Sequence, residues 1–334
     1  MRLLLASVLA ALVVPCCARA DVRVTAFYYP WYGTTAADGA YLHWSQDGHV
    51  PPDDIASSFY PLGGPYSSDA SAVLHRQMSE VRHAGIDELA VSWWGRGSTE
   101  DARLPAVIAA AHAQGIAVAA HIEPYDGRSV ATVVKDVAYL RTLGISTVYV
   151  YRAFDFPVAD WQAAMPELRV GNELLFAQTN LPGAAASAGF AGVYTYDILV
   201  YGGDELGKLC REAHAVHLLC APSVGPGFDA RRSEHLATVK PRRAGATYDR
   251  MWRAAIASHA DRVTITSFNE WHEGTQIEPA APAGRHGIYR YLGYDGAWGL
   301  KGVPAESAYL SRTAFWAQRF RASLGAVPAG TRRP

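Results

Sequence analysis

Short β-branched runs alternate with helical stretches about eight times from Val24 to Leu324, and this alternation restricts the fold more than any other feature. The strand-like runs are Val24–Tyr29, Ile86–Trp94, Ile116–Ile122, Thr147–Tyr151, Glu173–Gln178, Gly192–Ile198, Leu218–Ser223 and Arg262–Phe268. Helical stretches run from a Ser68-Asp69 cap to about His83, then over Leu104–Gln114, Val130–Leu143, Asp160–Leu168, Leu206–His214, Tyr248–His259 and Ser307–Leu324. Gly85, Gly115 and Gly144 close three of them, as helix C-termini favour. The pattern predicts one α/β domain, a (β/α)8 barrel of TIM type with long strand-to-helix loops. The rival is an open doubly wound sheet, but no G-x-G-x-x-G follows a strand to favour a nucleotide-binding version. The stretch from Thr34 to Ser68 is long for a loop, and its aromatics (Tyr41, Trp44, Phe59, Tyr60, Tyr66) argue that it is ordered.

The ends of the chain read differently. Arg2, the apolar run Leu3–Val14 and Ala18-Arg19-Ala20 form a secretory signal pattern over residues 1–20. The expected mature domain is 21–327, followed by a polar tail at 328–334. The chain is then directed to the secretory route, either secreted or periplasmic, with retention as a Golgi-lumen signal anchor as the alternative. Cys210 and Cys220 remain after cleavage, enough for one disulfide. Their placement, one in a helical pattern and one in a strand, suits two buried thiols equally well.

Lys+Arg 30 against Asp+Glu 31 offers nothing to nucleic acid. No obligate protein partner is implied. The aromatic share, 11%, points instead to ring stacking on sugars. In a barrel the carboxyl ends of the strands converge on one face. That gathers Tyr29, Trp31, Trp93, Trp94, Glu123, Tyr125, Tyr194, Tyr196, Glu270, Trp271 and Glu273 around one mouth. Glu270 and Glu273 stand three apart directly after the last strand, where paired carboxyls suit acid/base work on a glycosidic bond. N-E-W-H-E is not H-E-x-x-H, and no C-x-x-C pair is present, so neither a metal nor a cofactor is expected.

The strand ends resemble glycoside hydrolase family 99, the endo-α-1,2-mannosidases. The matching segments are Y-Y-P-W-Y-G at Tyr28 to Gly33, P-P-D-D-I-A-S-S-F-Y-P at Pro51 to Pro61 and H-I-E-P-Y at His121 to Tyr125. They continue with G-V-Y-T-Y at Gly192 to Tyr196, P-S-V-G-P-G at Pro222 to Gly227 and S-F-N-E-W-H-E-G-T-Q-I-E at Ser267 to Glu278. The resemblance implies a retaining, metal-independent endo-glycosidase acting on an α-mannose-containing oligosaccharide or glycoprotein glycan. By motif position Glu270 takes the proton of the sugar 2-hydroxyl, which closes on C1 to a 1,2-anhydro sugar, and Glu273 is the general acid/base.

Further expectations follow from that assignment. Glu273 should sit in a more apolar setting than Glu270, supplied by Trp271 or a neighbouring aromatic. Trp93 or Trp94 should floor the subsite for the non-reducing part, and Glu123 should bind a hydroxyl. Two other readings fit the same residues: a non-catalytic glycan-binding barrel, and a retaining glycosidase with a direct carboxylate nucleophile. The sequence departs from the family pattern at Gly144-Ile145-Ser146, which replaces a longer segment, and at Arg152, where the family tends to carry an aspartate. Both changes bear on subsites rather than on the glutamate pair.

Overall fold

In a computed structural model describing residues 23–325, the alternation resolves into a parallel barrel. The signal pattern at 1–20 and the tail at 328–334 lie outside the described residues. Strands β1 (Val24–Tyr28), β2 (Glu88–Trp93), β3 (Ala117–Ile122), β4 (Thr147–Val150), β5 (Leu174–Gln178) and β6 (Gly192–Tyr194) pair in chain order. The expected seventh strand is split by Pro222 into β7 (Leu219–Ala221) and β8 (Ser223–Val224). Pro222 has no N–H for the ladder, but its carbonyl accepts from Thr264 N at 3.1 Å. β7 pairs with β6, whereas β8 pairs with the last barrel strand β11 (Val263–Ile265), which pairs with β1 and completes the circuit. Between them a small hairpin, β9 (Phe228–Asp229) and β10 (Val239–Lys240), stands out from the barrel. A second hairpin follows, β12 (Gly284–His286) and β13 (Tyr289–Tyr291).

The outer helices are α1 (Thr35–Asp38), α2 (Ser71–His83), α3 (Thr99–Ala113), α4 (Val130–Thr142), α5 (Val158–Leu168), α6 (Pro182–Ala188), α7 (Leu206–Ala215), α8 (Ala246–Ala257), α9 (Val303–Glu306) and α10 (Ala308–Gly325). Three differ instructively from the sequence reading. Helix α3 starts at Thr99 rather than Leu104, because Ser98 Oγ accepts from Asp101 N at 3.0 Å and so caps it earlier. Helix α2 is not capped by Ser68-Asp69: Ser68 Oγ instead accepts from Tyr32 N at 3.2 Å, and Ala70 precedes the first turn. Helix α6 was not anticipated, since Pro182-Gly183-Ala184-Ala185 has no apolar period, yet Pro182 occupies the first-turn position that proline tolerates.

Layers of side chains fill the barrel. At the amino-terminal end the buried Glu88 carboxylate accepts from Thr25 Oγ1 at 2.9 Å, Tyr149 Oη at 3.3 Å and Arg262 at 3.3 Å. Above it the Phe27 ring meets His121 at 4.6 Å, Tyr196 at 5.0 Å and Tyr194 at 5.7 Å. Removing a ring from this layer (Phe27→Ala) is expected to cost about 3–5 kcal/mol. The 34–68 segment is ordered: Trp44 is fully buried with its indole N–H on the Tyr66 carbonyl at 2.8 Å. Phe59, Tyr60 and Tyr66 are buried as well, and Tyr41 is half-buried. Cys210 on α7 and Cys220 on β7 are joined in a disulfide, which corrects the two-thiol reading. The two positions lie on adjacent elements, α7 and the strand it leads into.

Candidate active site

Past β11 the backbone turns through Ser267–Glu278, and this turn is fixed from several sides. Ser267 Oγ accepts from Glu270 N at 2.7 Å, and Ser267 N donates to Thr275 O at 3.0 Å. The Asn269 amide grips β1's end, accepting from Tyr29 N at 2.8 Å and donating to Tyr29 O at 3.0 Å. Beneath the turn, the buried Glu278 carboxylate accepts from Trp271 Nε1 at 3.0 Å, Tyr66 Oη at 2.7 Å and Gln77 Nε2 at 2.8 Å. Trp271 is therefore a buried anchor with no exposed face, not a wall of the cleft.

Glu270 is 2% exposed and accepts backbone N–H groups from His272 at 2.8 Å and Glu273 at 3.4 Å. Burial and then the neighbouring Glu273 push its carboxyl well above the usual range, while those two N–H groups pull the other way. The His272 imidazole does not orient it. Its Nε2 lies 2.8 Å from the His43 carbonyl, so that nitrogen carries the proton, and Nδ1 is 3.9 Å from Glu270. Burial lowers His272 to about 3, so the ring is neutral.

Glu273 is pushed up to about 8, by burial first and then by Glu234 and Asp197, while a hydrogen bond from Tyr196 Oη at 3.3 Å opposes the shift. The expectation that Glu273 would be the more apolar of the two is corrected. Glu270 is the more deeply buried, and acidic neighbours contribute to the rise at Glu273.

Around this pair the structure gathers Tyr29, Trp31, Glu123 and Tyr196. Tyr29 and Tyr196 share a hydroxyl–hydroxyl hydrogen bond, and Trp31 stacks on His43 at 4.4 Å beside Tyr29 at 4.7 Å. Glu123, 5% exposed, accepts from Ser92 Oγ at 2.9 Å and has His121 Nδ1 at 3.0 Å. Trp94 is half-buried, with its indole N–H on Ser92 Oγ at 3.1 Å.

The remaining expected wall residues support the site from behind. Trp93 is fully buried with its N–H on Asp101 at 2.9 Å. Tyr194 is fully buried, its hydroxyl 2.9 Å from His121 Nε2. Tyr125 spends its hydroxyl on Asp136 and on Thr132 at 3.1 Å.

Sequence reasoning overlooked three residues near the pair. Tyr151, at β4's carboxyl end, packs on Tyr196 at 5.3 Å, and the strand-end rule could have found it. Asp197, next to Tyr196, was equally visible. Glu234 falls in the stretch between β9 and β10, which carries no periodic signal. Among the described residues no cluster of three His, Cys, Asp or Glu side chains could hold a metal ion, and no helix is long and apolar enough to cross a membrane.

A (β/α)8 barrel carrying paired carboxyls and aromatic rings at the carboxyl ends of its strands defines a carbohydrate-active enzyme. The chain belongs to glycosyl hydrolase family 99, which it matches over residues 20–322, and it is a glycoside hydrolase. It is 33% identical to the human glycoprotein endo-alpha-1,2-mannosidase-like protein over 88% of this chain and 75% of that protein. Mouse glycoprotein endo-alpha-1,2-mannosidase is 31% identical, covering 88% of this chain and 74% of the relative. The structure of the GH99 endo-alpha-mannosidase from Bacteroides thetaiotaomicron in complex with bis-tris-propane superposes with TM-score 0.81 at 32% identity, covering 91% of this chain and 99% of that one.

Proposed function

We propose that the chain cleaves internal α-1,2-mannosidic linkages in mannose-containing glycans with retention of configuration. One observation carries the reading: Glu270 and Glu273 share a single rigid turn at the barrel mouth, in a chain similar to proteins named as endo-acting α-mannosidases. Glu270 acts in its ionised form, which two N–H donors favour against the burial that raises its carboxyl, and accepts the proton of the substrate's 2-hydroxyl. The axial oxygen so activated bonds to C1 from the face opposite the leaving group. Glu273 gives its proton to the departing oxygen as the C1–O bond breaks, leaving a 1,2-anhydro sugar. Water then attacks C1, Glu273 takes its proton, and Glu270 returns a proton to O2, which restores both carboxyls. Two inversions leave the α configuration in place.

Glu123, held by Ser92 and near His121, would accept from a sugar hydroxyl, and the half-buried Trp94 would offer its ring on that side. The Cys210–Cys220 bond supports passage through an oxidising compartment, in keeping with the signal pattern. Amino-terminal sequencing of secreted protein should then begin at Asp21. The deciding assay offers the enzyme an oligosaccharide with an internal α-1,2-mannosidic linkage, in which the mannose that gives up its C1–O bond is extended through a hydroxyl other than O2 and so keeps its 2-hydroxyl free. Release of a disaccharide or larger unit is expected, and release of single mannose alone contradicts endo-action.

A further inference from the structure

We propose that His121, buried beneath the barrel mouth, is a positioning residue: it holds one oxygen of Glu123 from below so that the other meets a sugar hydroxyl. The inference rests on Glu123 taking such a hydroxyl, and it adds what makes that carboxylate point one way.

Strand alternation sets the geometry. His121 and Glu123 stand two residues apart at the end of β3, so their side chains leave the same face, one above the other. Ser92 on β2 pairs with His121 across the ladder, which brings its hydroxyl to the same place. Ser92 Oγ donates to Glu123 Oε1 at 2.9 Å, and His121 Nδ1 lies 3.0 Å from that same oxygen. Both contacts fall on Oε1, so Oε2 is the oxygen left for a ligand.

The imidazole has few ways to turn. It is 1% exposed and walled by rings, with Phe27 at 4.6 Å, Tyr196 stacked at 5.5 Å and Tyr151 edge-on at 5.6 Å. Its other nitrogen, Nε2, is 2.9 Å from Tyr194 Oη. A carboxylate only accepts, so the nitrogen that faces Glu123 carries a proton. In the neutral ring Nε2 then accepts from Tyr194, whose hydroxyl keeps its proton because burial and then Glu123 push its pKa well above the usual range. Tyr194 thus fixes the tautomer that presents Nδ1–H to Glu123.

One detail separates this from a histidine that merely fills the core. The Nδ1 contact is short but poorly aligned, and the buried nitrogen has no properly directed hydrogen bond among the described residues. A buried donor left in that state is costly. A sugar hydroxyl donating to Oε2 turns the carboxylate and brings Oε1 onto the Nδ1–H direction, in the way that site hydrogen bonds tighten when substrate binds. Ligand binding and the His121 contact then reinforce one another.

The test measures KM, which does not depend on the fraction of enzyme that is folded, for the oligosaccharide with an internal α-1,2-mannosidic linkage and a free 2-hydroxyl. His121→Phe keeps a ring and removes both nitrogens, and is expected to raise KM about tenfold. His121→Asn, whose amide N–H falls near the position of Nδ1, is expected to restore most of that loss. Glu123→Ala should raise KM at least as much, and adding His121→Phe to it should change KM no further, because the two act through one contact. A lowered melting temperature with wild-type KM in His121→Phe, no recovery in His121→Asn, or the same tenfold penalty with Glu123 absent would each make His121 structural only and overturn the inference. Wild-type KM in Glu123→Ala overturns the hydroxyl-binding reading of Glu123, and the inference with it, while leaving internal cleavage standing.

Discussion

The Tyr196 hydroxyl donates to Glu273 at 3.3 Å from a backbone held at φ 50°, in the left-handed region that tyrosine seldom occupies. Ser223 Oγ accepts from Tyr196 N at 2.8 Å, and Thr266 Oγ1 donates to Tyr196 O at 2.8 Å, so both sides of the residue are pinned by neighbouring barrel elements. Strain of this kind persists where the surroundings over-determine it, and here it aims one hydroxyl at one carboxyl.

Tyr196→Phe keeps the ring and removes that hydrogen bond. The bond lowers the Glu273 pKa, so its loss raises it. The expected result is a kcat about tenfold lower, with the alkaline limb of the pH–rate profile displaced upward. A fall in rate with no movement of that limb would assign Tyr196 to substrate packing alone.

The pH dependence of the wild type follows from the two carboxyls. Glu273 must carry a proton to release the leaving group, and it is raised to about 8, so kcat/KM should fall as pH rises through about 8. Glu270 must be ionised, and its carboxyl is also raised, so the acidic limb should stand well above the ordinary carboxylate range. Initial rates across the pH range give both limbs, and a profile still flat above pH 9 would contradict a carboxylic acid at Glu273.

Adjacent tryptophans should separate binding from folding. Trp94 is half-buried and tied through Ser92 to Glu123, so Trp94→Ala should raise KM about tenfold with little change in melting temperature. Trp93 is fully buried beneath the mouth, so Trp93→Ala should destabilise the fold by about 3–5 kcal/mol. Calorimetry alongside kinetics distinguishes the two effects.

The disulfide makes a separate claim on stability. It closes a short loop, Cys210 to Cys220, with a sequence separation of 10. Replacing both residues with serine should cost about 2–3 kcal/mol and lower Tm by roughly 5 °C, with wild-type kcat retained. Thermal unfolding with and without reductant checks this.

The barrel was legible because eight strand-like runs and the helices between them carry their own periodicity. The glutamate pair was legible because it leaves a strand directly. What the sequence hid was depth. Trp93 and Trp94 share composition and neighbourhood, yet alternation sends one into the core and leaves the other half-buried, with its indole N–H on Ser92. Trp271 sits between the two glutamates in sequence, but its indole serves the buried Glu278. Glu234 raises Glu273 from a stretch outside the barrel repeat, where no spacing rule reaches. The Cys210–Cys220 pairing depends on how α7 meets β7, which the residue spacing alone left open.

The most direct test of the division of labour between Glu270 and Glu273 uses an α-mannosyl fluoride that is extended by a further sugar through a hydroxyl other than O2, so that its 2-hydroxyl is free and its leaving group needs no proton. Fluoride release is measured for Glu270→Gln and Glu273→Gln against wild type. The account predicts rapid initial fluoride release by Glu273→Gln and a loss of about a thousandfold or more for Glu270→Gln. Rapid release by Glu270→Gln with none from Glu273→Gln would contradict it.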